Sequence, residues 1–593
     1  MTRRWIIHPH HAERISFLQR AANVPAVVAQ LLLCRGLDQP DAVRRFLEPK
    51  LSELRDPGEL PGCTAAAERL HRAVAAGDKI TVYGDYDADG ITGAALLVRG
   101  LRTLGATADY YVPHRIDEGY GLHAEALRTL AQRGTKLVVT VDCGIASVAE
   151  ADVARELGLE LIISDHHQPG PVLPAAHEIV HPGLPGGGYP FAGLSGSGVA
   201  FKLAWALCQQ ASQAKRVGER LKNYLLQAVG LAAIGTVADV VPLVDENRVL
   251  VRHALASLGE LAPLGLRALI DVAGLTGKQG GLEAEDIAFQ LAPRLNAAGR
   301  LGQAQLAVEL LTTDNPERAR ALAEYLHELN GSRDSLERSV YLSAQKKLQS
   351  EFDLERDSAF VLAERGWHPG VIGIVAGRLA EKHHRPVILV AFDEVAERPG
   401  VGSARSVRGL NLYEALTACA NHLVSHGGHA AAAGLKIEER SVEDFRASFC
   451  EYVAETLSAE QRVAELRIDA ETPLSALTYA TVAQIESMAP FGHCNPRPLL
   501  CASGVRLKEP PKKIGGGGRH LSLVVEQHGV RLRGVAFGAG DQADALAACT
   551  ELLDIAYRPV INTFRGQRNV EIQLADWRPC AAPAAPAAAQ ASP

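Results

Sequence analysis

The sequence predicts an α/β protein, in which a parallel-sheet domain is joined by a long helix to a smaller α/β domain and followed by a β-barrel. Three observations carry this. Short apolar runs stop at a glycine or an acid and lead into helix-like sequence, which is the grammar of parallel α/β units. Residues 317–349 keep helical spacing throughout. After Arg462 the texture changes to short alternating runs separated by Gly and Pro, as in a small barrel.

Taken in order, residues 1–60 read as an N-terminal helical segment and residues 61–250 as the first α/β domain. Its strands are Lys79-Ile-Thr-Val-Tyr83, Leu137-Val-Val-Thr-Val141, Leu159-Glu-Leu-Ile-Ile-Ser164 and His177-Glu-Ile-Val180. Consecutive apolar positions mark strands covered by helices on both faces. Residues 251–350 form a helical region and the connecting helix, which starts at Asp314-Asn-Pro316, a polar cap with Pro in the first turn. At about 1.5 Å per residue it reaches nearly 50 Å, and Asn330-Gly331 costs it about 1 kcal/mol. A second α/β domain spans 351–458, with strands at Phe360-Val-Leu-Ala363 and Pro386-Val-Ile-Leu-Val-Ala391 and a helix at 370–382. The barrel spans 459–580, and the Ala/Pro tail at 581–593 cannot bury a core.

Composition sets the outer bounds. A chain of 593 residues exceeds the roughly 250–300 that one core supports. With 47% apolar and 22% charged residues it lies outside the disordered class. Sixty-one basic against sixty-eight acidic residues give a net charge of −7, so a polyanion must be held by local arginines or by metal ions rather than by a global field. The most apolar stretch, 228–244, is broken by Asp239 and Pro242, and the N-terminal arginines are followed by His8-Pro9 rather than by an apolar core. These features predict no membrane association and a cytoplasmic location. Ten scattered cysteines without a CxxC pair read as reduced thiols.

The chemistry begins at Tyr83-Gly-Asp85-Tyr-Asp87-Ala-Asp89-Gly90, where three carboxylates alternate at a strand end. Like charges this close raise one another's cost of ionisation, and a divalent cation removes that cost. A solvated acidic loop is the other reading; an EF-hand is not, because the later bidentate Glu and flanking helices are lacking. Asp142 ends the next strand and Asp165-His166-His167 the one after. Ligands of open α/β sheets bind beyond such carboxyl ends, at a switch in strand order. His10-His11 and His383-His384 are also adjacent, but neither follows a strand beside an acid, so a surface or helix role fits them. Asp239 interrupts the run Ala232-Ala-Ile-Gly-Thr-Val-Ala-Asp239-Val-Val-Pro-Leu, and a buried carboxylate there must be neutralised, hydrogen-bonded or placed on a cation. Four or five carboxylates with one or two imidazoles suffice for two divalent ions about 3.5–4 Å apart, which activate water and clamp an in-line displacement at phosphorus. Such a donor set without thiolate favours Mn²⁺ and tolerates Mg²⁺.

At these residues the chain resembles the DHH phosphoesterase superfamily, named for the motif that is here Asp165-His166-His167, and within it the single-strand-specific 5′ to 3′ DNA exonucleases. The resemblance implies a DHH catalytic domain, a DHHA1 substrate-binding domain and an OB-fold barrel. It implies Asp85, Asp87, Asp89, Asp142, His166 and Asp239 as metal ligands, with His167 at the scissile phosphate. Pro113-His-Arg115, followed by Glu118-Gly-Tyr-Gly-Leu122, matches the element whose arginine meets the 5′ phosphate. Arg300 in Pro293-Arg-Leu-Asn-Ala-Ala-Gly-Arg300, His368 in Gly366-Trp-His368-Pro-Gly, Ser403 and Arg405 in Gly402-Ser-Ala-Arg405, and His429 in Gly427-Gly-His429 complete the implied substrate-binding set. Ala404 stands where the family pattern has glycine. Arginine forks read phosphate oxygens bidentately, although an interdomain salt bridge would use the same residues. The implied reaction is Mn²⁺- or Mg²⁺-dependent release of 5′ mononucleotides from single-stranded DNA in repair and recombination, by a monomer working with a single-strand-binding protein and a helicase. Lys512, Lys513, Arg519, His520, Arg531 and Arg533 would supply a basic groove on the barrel. Gly515–Gly518 reads as a barrel loop, since no helix follows it. A phosphoesterase acting on short oligonucleotides or dinucleotides, and a non-catalytic replication scaffold, are the alternatives; the barrel favours a long polymer over the first, and the intact acids favour catalysis over the second.

Overall fold

The computed structural model describes residues 3–115, 117–395, 398–564 and 566–580; the Ala/Pro tail at 581–593 lies outside them. The first sheet has five parallel strands in the order Ala108–Tyr111, Ile80–Gly84, Leu137–Val141, Glu160–Ser164, Glu178–Val180. The Ala108–Tyr111 strand is a further element. At four residues on the sheet edge, with Asp109 and two tyrosines partly exposed, it carries too little apolar signal to be read from sequence. Strand order reverses beside Ile80–Gly84, whose neighbours on its two sides are the next two strands in sequence, so its carboxyl end and that of Leu137–Val141 flank the switch point.

Alternation along the buried strands builds a core on each face of the sheet. Val82, Val139 and Ile162 face helices Ala88–Thr103, Gly196–Ser212 and Glu219–Ala238. Tyr83, Val138 and Leu161 face helices Ala124–Gln132 and Val148–Glu156. The Glu219–Ala238 helix is long and apolar enough to cross a membrane, yet Ala228 to Val237 are buried against its neighbours in the first of these cores. Within the same domain, Lys202 is fully buried and donates to Glu246 Oε1 at 2.5 Å and to the Arg55 carbonyl at 2.6 Å, which pins the strand of chain entering the domain to helix Asp245–Leu261.

The connecting helix runs from Pro316 to Glu351, about 54 Å. Asn315 caps it, its Oδ1 accepting from the N–H of Glu317 and Arg318 at 2.9 and 3.1 Å. Ala319, Leu322 and Leu326 belong to the first domain's core, whereas Val340, Ala344 and Leu348 belong to the second's. One helix therefore enters two cores. The second domain has five strands in the order Ser425–Gly428, Ala432–Ile437, Gly400–Arg405, Val387–Phe392, Phe360–Arg365, with only the last two parallel.

Residues 3–49 and 465–580 form a separate unit. Strand Leu500–Leu507 pairs with both Leu553–Phe564 and His520–Gln527 and so closes the barrel. Helices Ala12–Ala22, Ala26–Cys34 and Pro40–Leu47 share the barrel's core, with Leu18, Leu31 and Phe46 in one cluster with Leu474, Val482 and Ile485. Arg4–Ile7 pairs in parallel with Glu465–Ile468. The segment expected at 1–60 thus divides: its strand and three helices belong with the barrel, and residues from Lys50 onward with the unit that holds the two α/β domains. The barrel is also less cationic than its sequence suggests, because Lys512, Arg531 and Arg533 pair with Glu509, Glu526 and Glu571 at 2.9, 2.6 and 3.6 Å. Gly516–Gly518 is a short turn between two strands. All ten cysteines are free thiols.

Candidate metal centre

Each acid reaches the switch point by a local rule. Asp85 follows strand Ile80–Gly84 directly. Asp87 caps helix Ala88–Thr103, its Oδ1 accepting from the N–H of Asp89 and Gly90 at 2.9 and 3.1 Å. Asp89, in the first turn, is fully buried and accepts from the backbone N–H of Gly196 and Ser197 at 2.6 and 2.9 Å, at the start of helix Gly196–Ser212. Asp142 sits at φ 64°, a left-handed conformation tolerated by Asp, which swings its carboxylate off the strand direction. Asp239 caps the carboxyl end of helix Glu219–Ala238.

These side chains converge. Asp142 groups with His166 and His167 and again with Asp85 and Asp87, while Asp89, His166 and Asp239 form a third ligand-competent group, the donor atoms of each lying within 4.8 Å of one another. His166 Nε2 is 3.0 Å from Asp142 Oδ1, 3.4 Å from Asp239 Oδ2 and 3.9 Å from Asp89 Oδ2. The shortest of these contacts lacks hydrogen-bond geometry: Asp85 Oδ1, Asp142 Oδ1 and His166 Nε2 are all buried without a hydrogen-bond partner. Two ligands of one cation, each about 2.1 Å from it at right angles, lie about 3 Å apart. Orphaned acceptors at that spacing fit divalent metal.

Burial, followed by the charges of neighbouring acids, lifts Asp142 and Asp85 well above the carboxylate range and lifts Asp239 to about 8. Burial likewise raises Asp89 and lowers His166, leaving a neutral imidazole suited to ligation. Burial opposes charge on His167, but the hydrogen bond and charge of Asp165 prevail and raise it to about 9. Asp165 in turn is held below its usual value despite burial, because His167 and the backbone N–H groups of Ile145 and His167 donate to it. Groups raised on folding contribute stability that is fully present below their unfolded values and is lost as pH rises through the folded ones. Between pH 6.5 and 8, Asp239 and His167 act in the same direction, so the metal-free protein should melt progressively lower. Metal ions bind the deprotonated ligands and cancel the repulsion. The thermal shift produced by Mn²⁺ is therefore expected to be larger at pH 8 than at pH 6, and differential scanning fluorimetry at both pH values checks it.

A second group faces this one within the same unit. Arg300 is brought down to about 10 by burial and then by the charges of Arg115, Arg333 and Arg405. Arg115 lies over the Tyr86 ring at 4.8 Å. Arg405 Nη1 donates to Ser403 Oγ at 3.0 Å, and Arg300 Nη1 donates to the Gly370 carbonyl at 3.1 Å. Crowded guanidinium groups lower one another's pKa and call for an anion. Ala404 lies in a regular strand opposite Ala433, so that position needs no glycine. His368 spends Nδ1 on capping helix Pro369–His383, accepting from Gly370 N–H at 3.1 Å. His429 is exposed on the turn after strand Ser425–Gly428, close to where Ala432 pairs with Arg405.

Residues 79–236 match the DHH family N-terminal domain, 356–455 the DHHA1 domain and 468–576 the RecJ OB domain. The chain is 38% identical to the single-stranded-DNA-specific exonuclease RecJ of Bacillus subtilis, over 97% of this chain and 70% of that protein. It is 37% identical to the RecJ of Dickeya dadantii, over 93% of this chain and 96% of that one. The chain belongs to the RecJ family. The crystal structure of Thermus thermophilus RecJ in complex with Mn²⁺ superposes with a TM-score of 0.83 at 34% identity, covering 98% of this chain and 80% of that one.

Four features of this RecJ-family centre lay beyond the sequence reading. The amides of Gly196 and Ser197 hold Asp89, a role carried by backbone and so invisible in side-chain identity. Gly235 leaves room for that carboxylate: a Cβ there would lie 2.2 Å from Asp89 Oδ1. Tyr120 meets His167 and Asp142 through its hydroxyl. Its position in Glu118-Gly-Tyr-Gly-Leu122 was the only available signal. Asn296, within the Arg300 motif, accepts from Ala88 N–H at 2.8 Å and so braces the start of the Asp89 helix.

Proposed function

We propose that this chain degrades single-stranded DNA from its 5′ end to mononucleotides, as a divalent-metal-dependent phosphodiester hydrolase. The observation that carries the reading is the convergence of Asp85, Asp87, Asp89, Asp142, His166 and Asp239, with buried acceptors left unpaired and aimed at one another. These six residues would hold Mn²⁺ or Mg²⁺, which supplies a Lewis acid for the phosphoryl oxygens and lowers the pKa of bound water. The remaining work falls to the protein. Asp165 fixes the His167 ring beside the scissile phosphate. Arg115, Arg300, Ser403 and Arg405 hold the terminal phosphate by charge-assisted hydrogen bonds and so set polarity. His368 and His429 line the same approach. The names of the relatives support single-stranded DNA as the substrate, and the closed barrel supports a long polymer over a dinucleotide.

On this reading residues 61–250 are the catalytic domain, 251–350 the helical region and connecting helix, 351–458 the substrate-binding domain and 459–580 the OB fold. The enzyme acts as a cytoplasmic monomer in repair and recombination, with a helicase and a single-strand-binding protein supplying its substrate. Digestion of 5′-labelled single-stranded and blunt duplex DNA with Mn²⁺ tests the core claim. Labelled mononucleotide is expected from the single strand only. Equal release from the duplex, or internal cuts as first products, would refute it.

A further inference from the structure

The acids and the DHH histidines leave one polar contact of the centre without a role. Tyr120 lies on the loop after strand Ala108–Tyr111, with its ring partly exposed and its hydroxyl turned inward. The hydroxyl donates to the Asp142 carbonyl at 3.2 Å. It lies 3.0 Å from His167 Nδ1 and 3.5 Å from Nε2, against the nitrogen-bearing edge of that ring, and the two rings meet edge to face with centroids 5.4 Å apart.

The proton positions follow from the neighbours. Asp165 Oδ1 accepts from the backbone N–H of His166 and His167 at 2.7 and 3.2 Å, and Oδ2 accepts from Ile145 N–H at 2.9 Å. A carboxylate surrounded by donors is an acceptor, so the 2.8 Å contact between it and His167 Nδ1 places the proton on Nδ1. The Tyr120 hydroxyl sends its own proton to the Asp142 carbonyl and turns its oxygen to His167 Nδ1, whose single proton it shares with Asp165 Oδ1 as a second acceptor. Asp165 alone would leave that ring free to swing about one hydrogen bond. A second contact at the same edge removes this freedom.

We propose that Tyr120 is a positioning residue for His167, holding the imidazole at the angle from which it meets the scissile phosphate. The Asp142 carbonyl serves as the anchor: the left-handed backbone at Asp142 presents that carbonyl to the hydroxyl, so the residue that supplies a metal-ligating carboxylate also fixes, through its main chain, the group that orients the histidine. Neither contact reaches a metal ligand's side chain. Loss of the hydroxyl should therefore touch the chemical step and spare both metal and DNA binding.

The inference rests on the exonuclease reading and is tested with the full-length chain, Mn²⁺ and a 5′-phosphorylated single strand. Tyr120→Phe is expected to lower kcat roughly 10- to 100-fold, the scale of a misplaced reacting group. KM and Mn²⁺ affinity by calorimetry should stay within about twofold, a difference of roughly 0.4 kcal/mol. In a His167→Ala background, measured by single turnover, the same substitution should cost almost nothing, because a residue acting through His167 has nothing left to act on. Equal losses in both backgrounds, a change confined to Mn²⁺ affinity, or unchanged kcat would overturn the proposal, as would a crystal structure of Tyr120→Phe with the His167 ring unmoved. Wild-type protein that releases no nucleotide overturns the exonuclease reading and this inference with it; active wild type with an unaffected Tyr120→Phe overturns this inference alone.

Discussion

Asp142→Asn is expected to lower kcat about 10⁴-fold, the scale seen when one member of an interdependent catalytic set is removed. Asp142 is the acid common to two of the three ligand groups, and its Oδ1, at 3.0 Å, is nearer His166 Nε2 than the oxygens of Asp239 and Asp89 at 3.4 and 3.9 Å. An amide keeps the shape and tolerates the left-handed backbone that alanine would strain by roughly 1–2 kcal/mol, but it carries no charge for a cation. The stability prediction has the opposite sign. Burial and the charges of Asp89, Asp87, Asp85 and Asp239 push Asp142 well above its usual value, so its ionised form is a liability in the metal-free fold. Asp142→Asn without metal should therefore melt no lower than wild type at pH 8, and should gain less from Mn²⁺. Kinetics on a 5′-labelled single strand together with melting curves check both halves. Activity within tenfold of wild type would remove Asp142 from the centre.

That centre was legible because its acids sit at places where sequence patterns break. Asp85, Asp142 and Asp165 each follow an apolar strand, and Asp239 breaks an apolar run, so the cost of burying charge marks them before any fold is known. His383-His384 illustrates the control: His383 packs edge to face on Phe360 at 5.7 Å, a core role. What stayed hidden was whatever depends on backbone or on distant pairing. The parallel pairing of Arg4–Ile7 with Glu465–Ile468 joins segments some 460 positions apart, and no local periodicity encodes it. The barrel's basic residues were visible as cations, but their partners Glu509, Glu526 and Glu571 become neighbours only through strand register and turn geometry. Tyr120 was visible as a letter in a motif, while its function depends on where its hydroxyl lands.

Gly235→Ala carries the other large effect. The methyl group would lie 2.2 Å from both Asp89 Oδ1 and Ser197 Oγ and 2.7 Å from Thr92 Oγ1. None of these atoms is the free end of a flexible chain. Asp89 is held by two amides, Ser197 Oγ donates to the Ala232 carbonyl at 3.1 Å and Thr92 Oγ1 to the Ala88 carbonyl at 2.8 Å. The helix must therefore shift or Asp89 must leave its amides. Either response displaces a proposed metal ligand, and loss of such support typically costs 10- to 100-fold in metal affinity, with overpacking of about 1–3 kcal/mol added. Gly331→Ala separates this clash from ordinary helix propensity. Gly331 also lies inside a helix, but nothing stands within 4 Å of the added methyl, so the substitution should raise stability by up to about 1 kcal/mol and leave Mn²⁺ affinity unchanged. Calorimetric titration with Mn²⁺ and melting curves on the two variants read both effects. If Gly235→Ala bound Mn²⁺ like wild type, the close approach of the Glu219–Ala238 helix to Asp89 would have no part in holding the ligand.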